Sequence, residues 1–212
     1  MRPARRSGAI LLVVSGPGGA GKTTLCERLV KGSRGRMLLS VSCTTRQPRR
    51  GEVQGRHYHF VSRARFRTDA GAGRFVEHAA VAGELYGTPR GFLERSLKAG
   101  RDVVLDIDVQ GCAQVRRDPG YRGRVVTVFV LPRSRKVLER RLRRRRTDDE
   151  ARIQRRLALA DREIARAGGY DYLVINEGKD AAVAELAAIC RAEHANLRRE
   201  GGRAAWALRT WS

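Results

Sequence analysis

A chain of 212 residues, 42% hydrophobic and 6% aromatic, has enough apolar mass for one sizeable core and too little polarity for disorder. Its longest apolar run, residues 9–14, is too short to span a bilayer and leads into a glycine loop, not a cleavage site, so a cytoplasmic protein is expected. The net charge of +22 rests on 44 basic residues of which five are lysines: arginine-rich coding bias explains it first, a field for nucleotide anions second, and nucleic acid, without a zinc-finger or RNP motif, last.

Ile10–Val14 is a short β-branched and leucine run and reads as a buried strand. Gly16, Pro17, Gly18, Gly19, Ala20, Gly21, Lys22 and Thr23 then fit G-x-x-x-x-G-K-[ST], with Thr24 next and a helix expected over Lys22–Lys31. Glycines let the backbone curl round an anion, so successive N–H groups and a helix N-terminus face phosphate. Lys22 is placed to reach β- and γ-phosphates, and the Thr23 hydroxyl to ligate Mg²⁺. Alone, the motif specifies a nucleoside triphosphate and no second substrate.

From about Ser42 to Pro89 the pattern changes. This segment is rich in Gly, Arg, Tyr and His, alternates briefly at His57–Val61 and lacks a long apolar run, so an inserted β-rich subdomain is expected. Beyond it follow a helix at Arg90–Ala99 and strands at Val103–Ile107 and Val125–Leu131. Helices at Ser134–Arg145 and Ala151–Ala167, a strand at Tyr172–Ile175 and a helix at Ala181–Glu200 complete the chain. That order predicts an α/β fold with a parallel sheet flanked by helices on both faces. Cys26, Cys43, Cys112 and Cys190 are scattered without metal-ligand spacing and read as reduced thiols.

Arg46 and Arg49 stand three apart across Pro48, with Ser42, Glu52 and Tyr58 nearby in sequence. Two guanidinium forks and two hydroxyls suit a phosphate monoester, with Glu52 orienting the arginines, although an isolated R-x-x-R is as often a solvated loop. Asp106 and Asp108 follow a strand at its carboxyl end, where open α/β sheets bind ligands; an aspartate there also caps a following helix. Arg141 and Arg145 share a helical face within an arginine-rich run, which a solvated helix would also display.

Together with the phosphate loop, residues 40–62, Phe75–Ala79, Leu85–Pro89 and Leu105–Gly111 resemble the guanylate kinases, and the resemblance runs from about Ile10 to Asn176. It implies a P-loop kinase core (about 8–41, 91–133 and 158–200), an inserted β-rich GMP-binding subdomain (about 42–90) and a short helical lid (about 134–157). The implied reaction moves the γ-phosphate of ATP, the co-substrate, to GMP or dGMP, with Mg²⁺ as cofactor. Ser42, Arg46, Arg49, Glu52 and Tyr58 are the implied monophosphate site. Glu77 and Asp108 would accept from the guanine N1–H and 2-amino group, Thr88 would donate to O6, and Tyr86 would contact the base. Asp106 would hold the metal through water, and Lys22, Arg46, Arg49, Arg141, Arg145 and Arg156 are the implied catalytic cations.

One departure stands out. Arg144-Arg145-Arg146 replaces the Gly-Arg-Gly usual in the family, which predicts a stiffer lid that repels itself when empty. A related P-loop kinase for a sugar phosphate would lack the paired base acceptors, and a scaffold module of this shape would have a damaged phosphate loop. Membranes and nucleic acid are not expected partners.

Overall fold

A computed structural model of the chain describes residues 8–49, 51–81, 83–144 and 149–196. In chain order, β1 (Leu11–Ser15), α1 (Lys22–Gly32), β2 (Met37–Leu39), β3 (Cys43–Thr44) and β4 (His59–Phe60) come first. Next come α2 (Arg63–Gly71), β5 (Phe75–Val81), β6 (Glu84–Pro89), α3 (Arg90–Lys98), β7 (Asp102–Asp106) and α4 (Val109–Arg117). β8 (Val125–Leu131), α5 (Arg135–Arg144), α6 (Glu150–Ile164), β9 (Tyr172–Ile175) and α7 (Lys179–Ala195) follow.

Five strands form a parallel sheet in the order β2-β7-β1-β8-β9. The residues of and just before β1 alternate between two apolar clusters, one on each face. Ile10, Leu12 and Val14 meet Leu25, Leu29 and Leu186 from α1 and α7. Ala9, Leu11 and Val13 meet Leu93, Leu97 and Val115 from α3 and α4. A strand buried on both faces has no use for polar alternation, which is why this segment reads as a continuous apolar run. Each large side chain buried completely here, such as Leu12 or Leu25, stabilises the fold by about 2 kcal/mol.

Residues 43–89 build a second, mixed sheet in the order β4-β3-β6-β5. It also contains α2, which the sequence pattern did not predict. The side chain of Ser62 caps this helix by accepting a hydrogen bond from the Arg65 N–H, but α2 buries a single large apolar residue, Phe66, stacked on Phe75 at 4.7 Å. Buried Asp69 ties the helix down by accepting from Arg65 and Arg74. With one apolar anchor there is no 3.6-residue stripe to detect.

β2 and α4 were likewise not predicted; β2 is only three residues long, and α4 starts directly beyond a strand-like run. α6 stops at Ile164, short of the expected Ala167, and a 3-10 turn at Ala167–Gly169 follows it. α5 and α6 share a small core of their own: Leu138, Leu142, Ile153, Leu157 and Ala160. The expected end of α7 at Glu200 lies outside the described residues. No helix among the described residues is long and apolar enough to cross a membrane.

Candidate active site

β1 and β7 end side by side, with Val14 paired to Asp106, and deliver the phosphate loop next to a carboxylate. Gly16 turns at φ +138°, where a Cβ would lie 2.2 Å from the Val130 carbonyl oxygen, so only glycine lets the chain leave β1 this close to β8. At the start of α1, Gly21 is left-handed at φ +95° and presses against the Asn176 side chain. Pro17 O accepts from Ala20 N–H and closes the loop. Lys22 Nζ donates to Gly16 O at 2.7 Å and Pro17 O at 3.4 Å, folding its ammonium over the loop. Thr23 donates to Asp106 Oδ2 at 2.6 Å, bringing hydroxyl and carboxylate together at the exposed edge. Gly18 and Thr24 are exposed, and Gly19 lies against Leu138 and Leu142 of α5.

On the second sheet, Glu52 gathers the basic loop. Its two carboxylate oxygens accept from Arg46 Nη2 at 2.8 and 2.9 Å, and Oε2 also accepts from the Arg49 N–H at 2.7 Å. Those bonds hold the Glu52 carboxyl below the usual carboxylate range. The Arg46 guanidinium lies 5.5 Å from the Tyr58 ring centre, and Tyr58 meets Tyr86 edge-on at 5.9 Å. Burial and then the nearby Asp106 push the Tyr58 hydroxyl up to about 12, so this corner lies in the field of the β7 carboxylate. The Arg49 side is exposed, while Ser42 is half-buried and its carbonyl accepts from the His59 N–H.

Glu77 and Thr88 pair across β5 and β6 and are 3% and 0% exposed. Thr88 donates to Glu77 Oε1 at 2.6 Å. Burial pushes the Glu77 carboxyl up to about 7; the Thr88 hydrogen bond opposes that rise and Asp108 adds to it. Asp108 caps α4, its Oδ1 accepting from Gly111 N–H at 2.8 Å and its Oδ2 from Gln110 at 3.2 Å. One oxygen of this aspartate is therefore committed to the helix, the capping use the sequence left open.

Arg141 reaches back from α5 to donate to Ala20 O at 3.1 Å and Asn176 O at 2.9 Å. Arg156 is half-buried on α6, and Arg145 and Arg146 lie outside the described residues. Two residues near the loop were missed from sequence. Asn176, just beyond β9, donates to Ala20 O at 2.7 Å, while its Oδ1 is buried with no donor among the described residues. With Gly21, Thr24, Arg141 and Lys179 it lines a cleft of about 380 Å³. Its place at the carboxyl end of a predicted strand was the available signal. The other is Glu163, 8% exposed at the end of the buried α6 face Ile153, Leu157 and Ala160. Burial pushes its carboxyl up to about 7, Lys22 pulls it down and Asp108 pushes it up, which sets Glu163 within the field of the phosphate loop.

The family described as guanylate kinase matches residues 9–193. A guanylate kinase of Sphingopyxis alaskensis is 47% identical over 193 residues, covering 91% of this chain and 86% of that protein. One from Alkalilimnicola ehrlichii is also 47% identical, over 90% of this chain and 92% of its own. The crystal structure of guanylate kinase from Anaplasma phagocytophilum superposes with a TM-score of 0.77 at 32% identity, covering 97% of this chain and 96% of that one. Sequence and superposed structure agree over nearly the whole length, and the chain belongs to the guanylate kinase family.

Proposed function

We propose that this protein transfers the γ-phosphate of ATP to GMP, with dGMP as a further acceptor, giving ADP and the nucleoside diphosphate. The observation that carries the choice of acceptor is the pair of carboxylates, Glu77 and Asp108, that meet at Gly111. Guanine offers N1–H and the 2-amino group as adjacent donors, which ionised carboxylates accept. Adenine at that site would leave Glu77 Oε2 buried without a donor, a loss of about 1–3 kcal/mol. Thr88 is assigned to O6 and Tyr86 to the base.

Arg46, pre-set by Glu52, is assigned to the acceptor phosphate together with Arg49, Ser42 and Tyr58. A monoester dianion is already nucleophilic at neutral pH, so the task of these residues is alignment, not proton removal. ATP is assigned to Gly16–Thr24, where Lys22 exchanges its loop carbonyls for phosphate oxygens. Thr23 and Asp106 form an all-oxygen donor set that fits Mg²⁺, with Asp106 acting through water. When bound, Mg²⁺ would neutralise charge on the triphosphate.

Arg141, Arg145 and Arg156 are assigned to the equatorial oxygens of the phosphoryl group in flight, where fixed guanidiniums gain most from a dry site. This reading divides the chain into a core (about 8–41, 91–133 and 158–200), a GMP-binding subdomain (about 42–90) and a lid (about 134–157), working in the cytoplasm. The test is a coupled ADP-release assay with ATP, Mg²⁺ and each of GMP, dGMP, AMP, UMP and CMP. Turnover is expected with the guanine nucleotides alone and is lost in Lys22→Ala. Equal turnover with AMP would remove the assignment of Glu77 and Asp108.

A further inference from the structure

Gly111 sits in the first turn of α4, a place where alanine is ordinarily preferred by about 1 kcal/mol. Its backbone is not left-handed, so conformation does not call for glycine. Space does. A Cβ on Gly111 would lie 2.5 Å from Glu77 Oε2, 3.0 Å from Glu77 Cδ and 3.3 Å from Ile107 Cδ1. The same residue donates its N–H to Asp108 Oδ1 at 2.8 Å.

The helix cannot easily slide away from this contact. One turn further on, Gln114 accepts from His78 N–H at 3.1 Å and donates to His78 O at 2.8 Å, pinning α4 to the strand residue next to Glu77. Nor has the carboxylate free room to retreat, since Oε1 holds Thr88 at 2.6 Å in a site 3% exposed.

We propose that Gly111 is a specificity-determining positioning residue: its missing side chain seats the Glu77 carboxylate, and its N–H fixes the Asp108 carboxylate beside it. One glycine thereby sets both acceptors to the spacing of the two guanine donors. A methyl group at 111 turns Glu77 off its line and leaves the phosphate loop, on the ends of β1 and α1, untouched.

The inference rests on the proposed function, and the experiment separates the two. GMP-dependent ADP release is measured for the unmodified enzyme, Gly111→Ala, Glu77→Asp and the double variant, with GMP and with inosine monophosphate, which lacks the 2-amino group. No GMP-dependent release by the unmodified enzyme removes the proposed function itself. With that release present, Gly111→Ala is expected to lower kcat/KM for GMP about tenfold or more, mainly through KM. It should shrink the preference for GMP over inosine monophosphate and leave the KM for ATP unchanged. The shorter acid in the double variant makes room for the methyl and recovers part of the loss, so the two changes are not additive. An unchanged preference in Gly111→Ala, or equal losses on both acceptors and on ATP, overturns the inference. Should Gly111→Ala fail to fold, Glu77→Ala/Gly111→Ala decides: a folded double variant identifies Glu77 as the obstacle, and a second failure shows that α4 itself rejects the methyl.

Discussion

Glu77 is the residue at which burial and the proposed guanine recognition meet. Its carboxyl, raised to about 7 chiefly by burial, must be ionised to accept from guanine, because a protonated acid sets its own O–H against the ring donors. As pH falls through 7 the acceptor form is lost, and KM for GMP is expected to rise toward tenfold per pH unit. Glu77→Gln replaces one acceptor oxygen with an amide NH₂ facing the same donors, at any pH. That variant should lose about 3 kcal/mol of acceptor binding, roughly a hundredfold in kcat/KM for GMP. It should also lose that part of the slope between pH 6 and 8 that the nucleotide's own phosphate does not supply. KM for ATP should not move. A pH profile of Glu77→Gln parallel to that of the unmodified enzyme would place the titrating group elsewhere.

Among the elements, β9 and the turn after it do more than complete a sheet. Asn176 donates to Ala20 O, Arg141 donates to both Ala20 O and Asn176 O, and Gly21 packs on the Asn176 amide, so the edge strand β9, α5 and the phosphate loop share one knot. Asn176→Ala removes a buried hydrogen bond worth about 1–2 kcal/mol and frees the loop on that side. KM for ATP should rise about tenfold with KM for GMP unchanged, as read from initial rates with each substrate varied. A rise in both would mean that Asn176 supports the fold as a whole. Little of this knot was legible in the sequence. The phosphate loop and the core strands announce themselves through glycine spacing and apolar runs, and their positions need no tertiary information. Asn176 matters because β9 pairs with β8 at the sheet edge, and α2 exists because Phe66 finds Phe75 and Asp69 finds two arginines. Such relations depend on which segments the fold brings together, and periodicity within one segment does not contain them. The guanine-facing assignments of Glu77 and Asp108 came from motif resemblance; Gly111, the residue that joins them, shows its importance only once α4 is docked on β5.

For the molecule as a whole, the charge balance and the buried acids pull stability in opposite directions with pH. A net charge of +22 grows as exposed carboxylates are protonated, and Glu52, held below the usual range by its arginine, contributes stability that is lost as pH falls through its lowered value. Glu77 and Glu163 behave conversely. Both are raised from 4.5 to about 7 in the folded state, so folding holds protons that the unfolded chain releases. Their favourable contribution is complete below about 4.5 and is lost as pH rises through about 7. For Glu77 the full span is worth about 3 kcal/mol, since each pH unit between the two values counts about 1.4. Urea denaturation of the nucleotide-free protein, compared with Glu77→Gln at pH 5, 6, 7 and 8, isolates that share, because the amide does not titrate and all other groups are common to both. The unmodified protein should lose about 2.5 kcal/mol relative to the variant across this series, the rest of the span lying outside pH 5 to 8. Saturating GMP should restore it, because the proposed guanine contact adds donors to an ionised acid that Thr88 alone serves in the empty fold. A constant difference between the two proteins would mean that Glu77 ionises as freely folded as unfolded, and the pH dependence of GMP recognition would lose its cause. The same carboxylate thus destabilises the empty enzyme at neutral pH and, in the proposed function, selects the base that relieves it.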